Sequence, residues 1–255
     1  MRFVAVELPA RHDRSDEQFA RLERVLAAEG ALDDAVVVLP ELAFCGYVSA
    51  LGDFDRTPVA EPVDGPTVMR AASLARRHRA AMLVPFVERD GARCFNATVL
   101  LDRDGAPQML YRKRHPWIPE RWATPGDLGP GAVVFEGVRI CVAVCFDVHT
   151  LAIDAAVELA AADVLLFQSA WVDDDPAVRP ALLRGLRDLF GCAVVNANWG
   201  HGVPSVAGQG ASLALAGRSG ASVRRRDVAG VPVVEAVVPA PPLPPRGERA
   251  KDAGA

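Results

Sequence analysis

This 255-residue chain has no disulfide-like cysteine framework, no long apolar run and no marked excess of one charge. Its five cysteines are odd in number, with no Cys-x-x-Cys and no spacing suited to a metal centre. That pattern fits free thiols in a reducing compartment better than a disulfide framework, and a cytoplasmic location is expected. No window offers the roughly 18 consecutive apolar residues that a membrane-spanning helix needs. The opening MRFVAVELPARHD holds too short an apolar run for a signal peptide, with acids close behind it. Lys plus Arg number 28 against 32 Asp plus Glu, a net charge of −4. That balance argues against a general nucleic-acid or anionic-membrane binder. No internal repeat is visible.

What is present is apolar and regularly interrupted. At 51% hydrophobic, a domain of this size buries roughly 70–75% of the surface of its extended chain. One large domain is expected over residues 1–238, and PAPPLPPRGERAKDAGA, residues 239–255, should be an extended or disordered tail. RFVAVEL opens as a strand. SDEQFARLERVLAAEG follows as a helix, with Phe19, Leu22, Val25 and Leu26 as its apolar stripe, Ser15 and Gln18 at capping-box spacing and Gly30 past its end. AVVVLPE is a short apolar strand ended by Pro40, as suits a strand covered on both faces. Pro66 fits the first position of the next helix, and AAMLVPFVE is the strand after it. FNATVLLDRDGAPQMLYRK reads as a hairpin turning at Asp104-Gly105. The strand VRICVAVC leads into a helix over LAIDAAVELAAA, then the strand DVLLFQ, a helix from near Pro180, the strand CAVVNAN and late hairpins around GRSG. Alternating helices and apolar strands with interspersed hairpins predict a layered α/β domain with mixed sheets.

Three strand ends carry unusual chemistry. Cys145 stands where VRICVAVC gives way to a polar turn; taken alone, it reads as a small core hydrophobe. Glu41 lies just past the buried strand AVVVLPE, where a carboxylate is costly unless it is paired. The plainer reading is an acid turned outward. In LYRKRHPWIPE, Lys113 ends a hairpin strand and Glu120 follows; a solvated basic run is the plain alternative. Together they suit acyl transfer. A thiol of ordinary pKa needs a base, which Glu41 could supply. Lys113 could balance that carboxylate and hold an oxyanion, with the backbone N–H of Phe146 as second donor. A Cys–His protease reading has His115, His149 and His201 to draw on, but lacks a flanking Cys-Gly-Ser-Cys-Trp motif. Cys45, Cys94, Cys141 and Cys192 read as core or near-core thiols.

Pro-Glu with Gly-Tyr shortly after, Tyr-x-Lys-x-His and Cys-aromatic-Asp, in this order, resemble the nitrilase superfamily of carbon–nitrogen hydrolases. TPGD, LLFQSAW and VVNAN…GQGAS extend the resemblance over nearly the whole chain. It implies a four-layer α-β-β-α sandwich and a Glu–Lys–Cys triad of Glu41, Lys113 and Cys145. Glu120 matches a second glutamate that positions substrate or hydrolytic water; His149 and Trp171 fall among the supporting, substrate-positioning residues. A homodimer or higher homo-oligomer, formed through helices beside the cysteine, and no metal or organic cofactor are also implied. One departure bears on substrate: where carbamoylases and ω-amidases carry an arginine that grips a carboxylate, this chain has Val148 and His149. A substrate with a free α-carboxylate is therefore disfavoured unless Arg114 or Arg121 compensates. The expected activity is hydrolysis of a small non-peptide amide or carbamoyl compound through a cysteine thioester. Nitrile hydrolysis or acyl transfer on the same triad is the alternative, as is a non-catalytic or redox-sensing protein, for which Cys141 is the sequence-local resolving thiol.

Overall fold

A computed structural model of the chain describes residues 1–49 and 51–239. All but Pro239 of the expected tail lies outside the described residues. The chain runs β1 (Arg2–Val6), α1 (Ser15–Glu29), β2 (Ala35–Val38), α2 (Pro66–His78) and β3 (Ala81–Asp90), then β4 (Arg93–Leu101) and β5 (Pro107–Arg112). There follow β6 (Gly131–Phe135), β7 (Val138–Val144), the short helices α3 (Leu151–Asp154) and α4 (Ala156–Ala161), β8 (Val164–Ser169), α5 (Val178–Phe190) and β9 (Ala193–Asn198). Strands β10 (Leu213–Leu215), β11 (Ser222–Val228) and β12 (Val231–Val237) come last.

Two mixed sheets result, seven strands in the order β11-β12-β1-β2-β3-β4-β5 and five in the order β10-β9-β8-β7-β6. Strand alternation decides what each face meets. Phe3 and Ala5 of β1 and Val36 and Val38 of β2 pack in one cluster with Val142 and Val144 of β7, filling the space between the sheets. Val4, Val6 and Val37 point the other way, onto Phe19 and Leu22 of α1 and Ala71 and Ala75 of α2. Leu151, Leu159, Leu183 and Phe190 cover the second sheet from outside. The layers are therefore α-β-β-α. Each buried Val or Leu contributes about 1.5–3 kcal/mol, so nearly every strand residue that lacks polar chemistry helps hold the sandwich.

Three local expectations differ from the structure. No capping box forms at α1, because Ser15 is already its first residue and Arg14 precedes it without a side-chain cap. The Gln18 amide instead donates to the carbonyls of Pro9 and Ala43, both at 2.9 Å, tying α1 to the loop after Glu41. The helix over LAIDAAVELAAA is broken at Ala155 into α3 and α4. The Asp154 carbonyl accepts the Arg114 guanidinium at 3.1 Å, a tertiary contact that helix propensity does not register. GRSG joins no hairpin: β10 pairs with β9 in one sheet and β11 with β12 in the other. Turn chemistry fixed the turn but not the partner of the strand after it.

Candidate active site

Strand directions bring the chemistry to one end of the sandwich. β3 is parallel to β2, and β4 and β5 each reverse, so β2 and β5 point the same way with the start of β4 beside their C-terminal ends. In the second sheet β7 and β8 are parallel. Glu41 follows β2, Lys113 follows β5, Cys145 follows β7 and Ala170 follows β8. The Lys113 N–H donates to the Asn96 carbonyl at 2.8 Å, which sets the two side chains next to each other.

The Lys113 ammonium, fully buried, donates to Glu41 Oε1 at 2.6 Å and to Glu120 Oε1 at 3.0 Å, with Glu120 Oε2 at 2.8 Å. The Asn96 amide bridges the same two acids, donating to Glu41 Oε1 and Glu120 Oε1 at 2.8 Å each. The second oxygens are held from the backbone: Ala170 N–H to Glu41 Oε2 at 2.9 Å, Trp117 N–H to Glu120 Oε2 at 2.7 Å. Both acids are 2% exposed. Such burial is tolerable only because nearly every oxygen and proton is satisfied. Burial opposes the charge on Lys113, but Glu41 and Glu120 outweigh it and its pKa is raised. Burial and the Glu41 charge raise the Glu120 carboxyl against the pull of Lys113. Two acids share one ammonium here, and the spare negative charge makes the cluster a natural proton acceptor.

Cys145 is 9% exposed and opens a short helical turn, Cys145–His149, with a left-handed φ of 46°. Burial, then the Glu41 charge, pushes its thiol well above the ordinary value. The resting group is a neutral thiol that needs a base. Phe146 N–H lies in the first turn of this helical segment, where amide donors lack intrahelical acceptors. Asp147 locks the turn in place: it accepts the Tyr111 hydroxyl at 2.8 Å, Val144 N–H at 3.1 Å, and the N–H groups of Arg114 and His115 at 3.1 and 2.9 Å. One buried carboxylate thus fixes the lysine segment to the cysteine turn.

A pocket of about 120 Å³ opens over Cys145, with Phe146, His149, Trp171 and Trp117 in its walls. The structure brings Glu41, Lys113, Glu120 and Cys145 together, and sets His149 and Trp171 against the pocket. It does not bring in His115, whose Nε2 is 2.6 Å from Asp154, or the exposed His201. Arg121 lines a separate surface groove with Phe54 and Trp122. Cys141 is fully buried with its thiol pushed up to about 12, chiefly by burial, which leaves little reactive thiolate for a resolving role. Sequence reading missed Asn96, whose only signal was one amide in an apolar strand. It read Tyr47 only as part of the Gly-Tyr motif; the residue is 4% exposed and ringed by Phe54, Trp117 and Trp199. Its pKa is raised by burial, then by Glu41, Glu120 and Cys145, so it faces the acids. Behind the site, Asn198 Oδ1 accepts Trp171 N–H at 3.0 Å, and the buried Arg179 donates to Asn196 and to the Gly210 carbonyl. Among the described residues no group of three or more His, Cys, Asp or Glu is arranged to hold a metal ion, and no helix is long and apolar enough to cross a membrane.

A family model described as carbon-nitrogen hydrolase matches residues 12–183. The chain belongs to the carbon-nitrogen hydrolase family. It is an enzyme that hydrolyses carbon–nitrogen bonds. Among its relatives, an (R)-stereoselective amidase of Pseudomonas sp is 28% identical over 83% of this chain and 77% of that protein. An N-carbamoylputrescine amidase of Solanum lycopersicum is 30% identical over 59% of this chain and 52% of its own length. The structure of Saccharomyces cerevisiae Nit3, a member of branch 10 of the nitrilase superfamily, superposes with a TM-score of 0.76 at 18% identity, covering 94% of this chain and 90% of that one. That likeness is one of fold.

Proposed function

We propose that this carbon-nitrogen hydrolase cleaves a small non-peptide amide or carbamoyl compound through a thioester on Cys145. The observation that carries the reading is the Glu41–Lys113–Glu120 cluster, with its ammonium fully buried between two acids, set beside a neutral thiol at the floor of a small pocket. Glu41 takes the thiol proton as sulfur attacks the carbonyl carbon. Lys113 and Phe146 N–H hold the oxyanion. Glu41 returns the proton to the departing ammonia or amine, and the carbonyl re-forms as a thioester. Water, deprotonated by Glu41 and positioned with Glu120, then attacks the thioester; the acid leaves and the thiol regains its proton. Each of these donors acts preorganised in a water-poor site, where it counts most.

The amidase and carbamoyl-amidase relatives support the substrate class. The hydrolase domain is assigned to residues 1–238, working as a homodimer through the outer face of α3 and α4, where Ile153 and Val157 are exposed. Five free thiols favour the cytoplasm. The test is ammonia release over a panel of amides, carbamoyl compounds and nitriles, with Cys145→Ala as blank, followed by intact-protein mass spectrometry of two variants. Glu41→Gln should form no acyl adduct. Glu120→Gln should accumulate one on Cys145, because positioning for hydrolysis fails while acylation survives; effects of roughly 10²–10⁴-fold are expected. Turnover in the Cys145→Ala blank sinks the reading, and the reverse adduct pattern exchanges the two acids.

A further inference from the structure

We infer that the pocket over Cys145 selects amides that carry a positive charge, and that Asp173 is the residue that reads it; this rests on the amide-hydrolase reading above. The pocket is electrostatically one-sided. Among its lining residues Asp173 is the one with a formally charged side chain, and no Lys or Arg is present. The arginines that could have gripped an anion are committed elsewhere. Arg114 donates to the Asp154 carbonyl at 3.1 Å, and Arg179 is spent on Asn196 and Gly210 behind the wall.

The rest of the wall suits a cation. The His149 ring lies 4.8 Å from that of Phe146 and 5.9 Å from that of Trp171, and Trp117 closes another side. Aromatic faces attract an ammonium and offer nothing to a carboxylate. Asp173 is half-buried. Its Oδ1 accepts the Asp175 N–H at 2.9 Å, which fixes the carboxylate, while Oδ2 accepts from no described donor. The Trp171 ring, 7% exposed, is part of the same wall. The substrate class is a small amide with an ammonium or amidinium a few bonds from its carbonyl. An anionic end would meet Asp173 with no cation to offset the repulsion.

The test compares pentanamide, its ω-amino derivative and its ω-carboxylate counterpart. The cationic amide should exceed the neutral one in kcat/KM by about fivefold to tenfold, the range of a partly solvated ion pair backed by ring faces, and the anionic amide should fall below it. In Asp173→Asn, which keeps the Oδ1 acceptor, the cation-to-neutral ratio should collapse toward one. In Asp174→Asn, an exposed acid outside the pocket lining, the ratio should persist. A readout independent of hydrolysis uses methanethiosulfonates bearing an ethylammonium or an ethylsulfonate. The Cys145 sulfur displaces methanesulfinate and forms a mixed disulfide, and peptide mapping gives the rate at that thiol. The ammonium reagent should react faster, and Asp173→Asn should erase the difference. Equal rates for the two reagents, or a preference for the anionic amide, overturn the proposal. Discrimination between the reagents without hydrolysis of any amide supports the charge selection and sinks the amide-hydrolase reading instead.

Discussion

Lys113 is the residue on which the site depends most, because its single charge compensates two buried acids. Lys113→Met keeps the volume and removes the ammonium. Loss of one oxyanion donor alone costs about 2.7–4 kcal/mol of transition-state stabilisation, and stranding a buried charge destabilises the fold by about 3–5 kcal/mol. We expect kcat/KM to fall at least a hundredfold and the urea midpoint to drop; a variant within threefold of wild type would return Lys113 to a structural role. A second expectation concerns the thiol. Since burial and Glu41 raise its pKa, Cys145 stays protonated through the neutral range and its thiolate share grows as pH rises. Iodoacetamide labelling of Cys145 in Glu41→Gln should therefore climb steadily from pH 6 to 9. A Cys–His ion pair behaves oppositely, with a thiolate already formed at low pH and a flat profile above it. A plateau from pH 5 upward in peptide-mapped rates would mean a preformed thiolate and no need for Glu41 as base.

At the scale of elements, the nucleophile sits where strand β7 turns sharply, and the turn has a conformational cost. Cys145 holds φ at 46°, in the left-handed region that costs a non-glycine residue about 1–2 kcal/mol. Cys145→Gly should thus unfold in urea with about 1 kcal/mol more stability than Cys145→Ala, although neither turns over substrate; equal stabilities would show that the turn carries no strain. Strand ends were also where the sequence was most readable. Pro40 ending a wholly apolar strand, and a cysteine closing another, drew notice to Glu41 and Cys145, although each alone read as an outward acid or a core thiol and only the ordered motifs joined them. Asn96 was illegible because its role depends on register: only the pairing of β4 with β5 sets it against Lys113. Asp147 could be read as part of a motif but not as the latch it is, since three of its four donors, Tyr111, Arg114 and His115, lie 32 to 36 residues away in sequence. The break at Ala155 and the sheet-switching after GRSG had the same origin, tertiary contacts with no local signature.

At the scale of the whole molecule, an apolar surface lies next to the catalytic machinery. Ile153 is 85% exposed and Val157 79%, on the outer layer formed by α3 and α4, where large aliphatic side chains find no cover within one chain. In the proposed homodimer a second copy of the chain would cover them, since stable homodimer interfaces are the more apolar class. The link to catalysis runs through Asp154, between those two residues in sequence. Its carbonyl accepts Arg114 and its carboxylate meets His115 at 2.6 Å, the two residues that follow Lys113. Covering α3 and α4 would therefore steady the lysine segment as well as bury apolar surface. Sedimentation velocity should show a dimer, and the double variant Ile153→Asp, Val157→Asp should shift it to monomer, since a carboxylate buried without a partner is costly. The monomer should stay folded by circular dichroism yet lose about tenfold or more in kcat, the scale expected when a catalytic group is slightly misplaced. For the same reason, wild-type specific activity should fall on dilution through the dissociation range. A wild-type monomer with full activity, or a monomeric variant as active as the parent, would separate assembly from catalysis and leave the exposed pair without a role in the site.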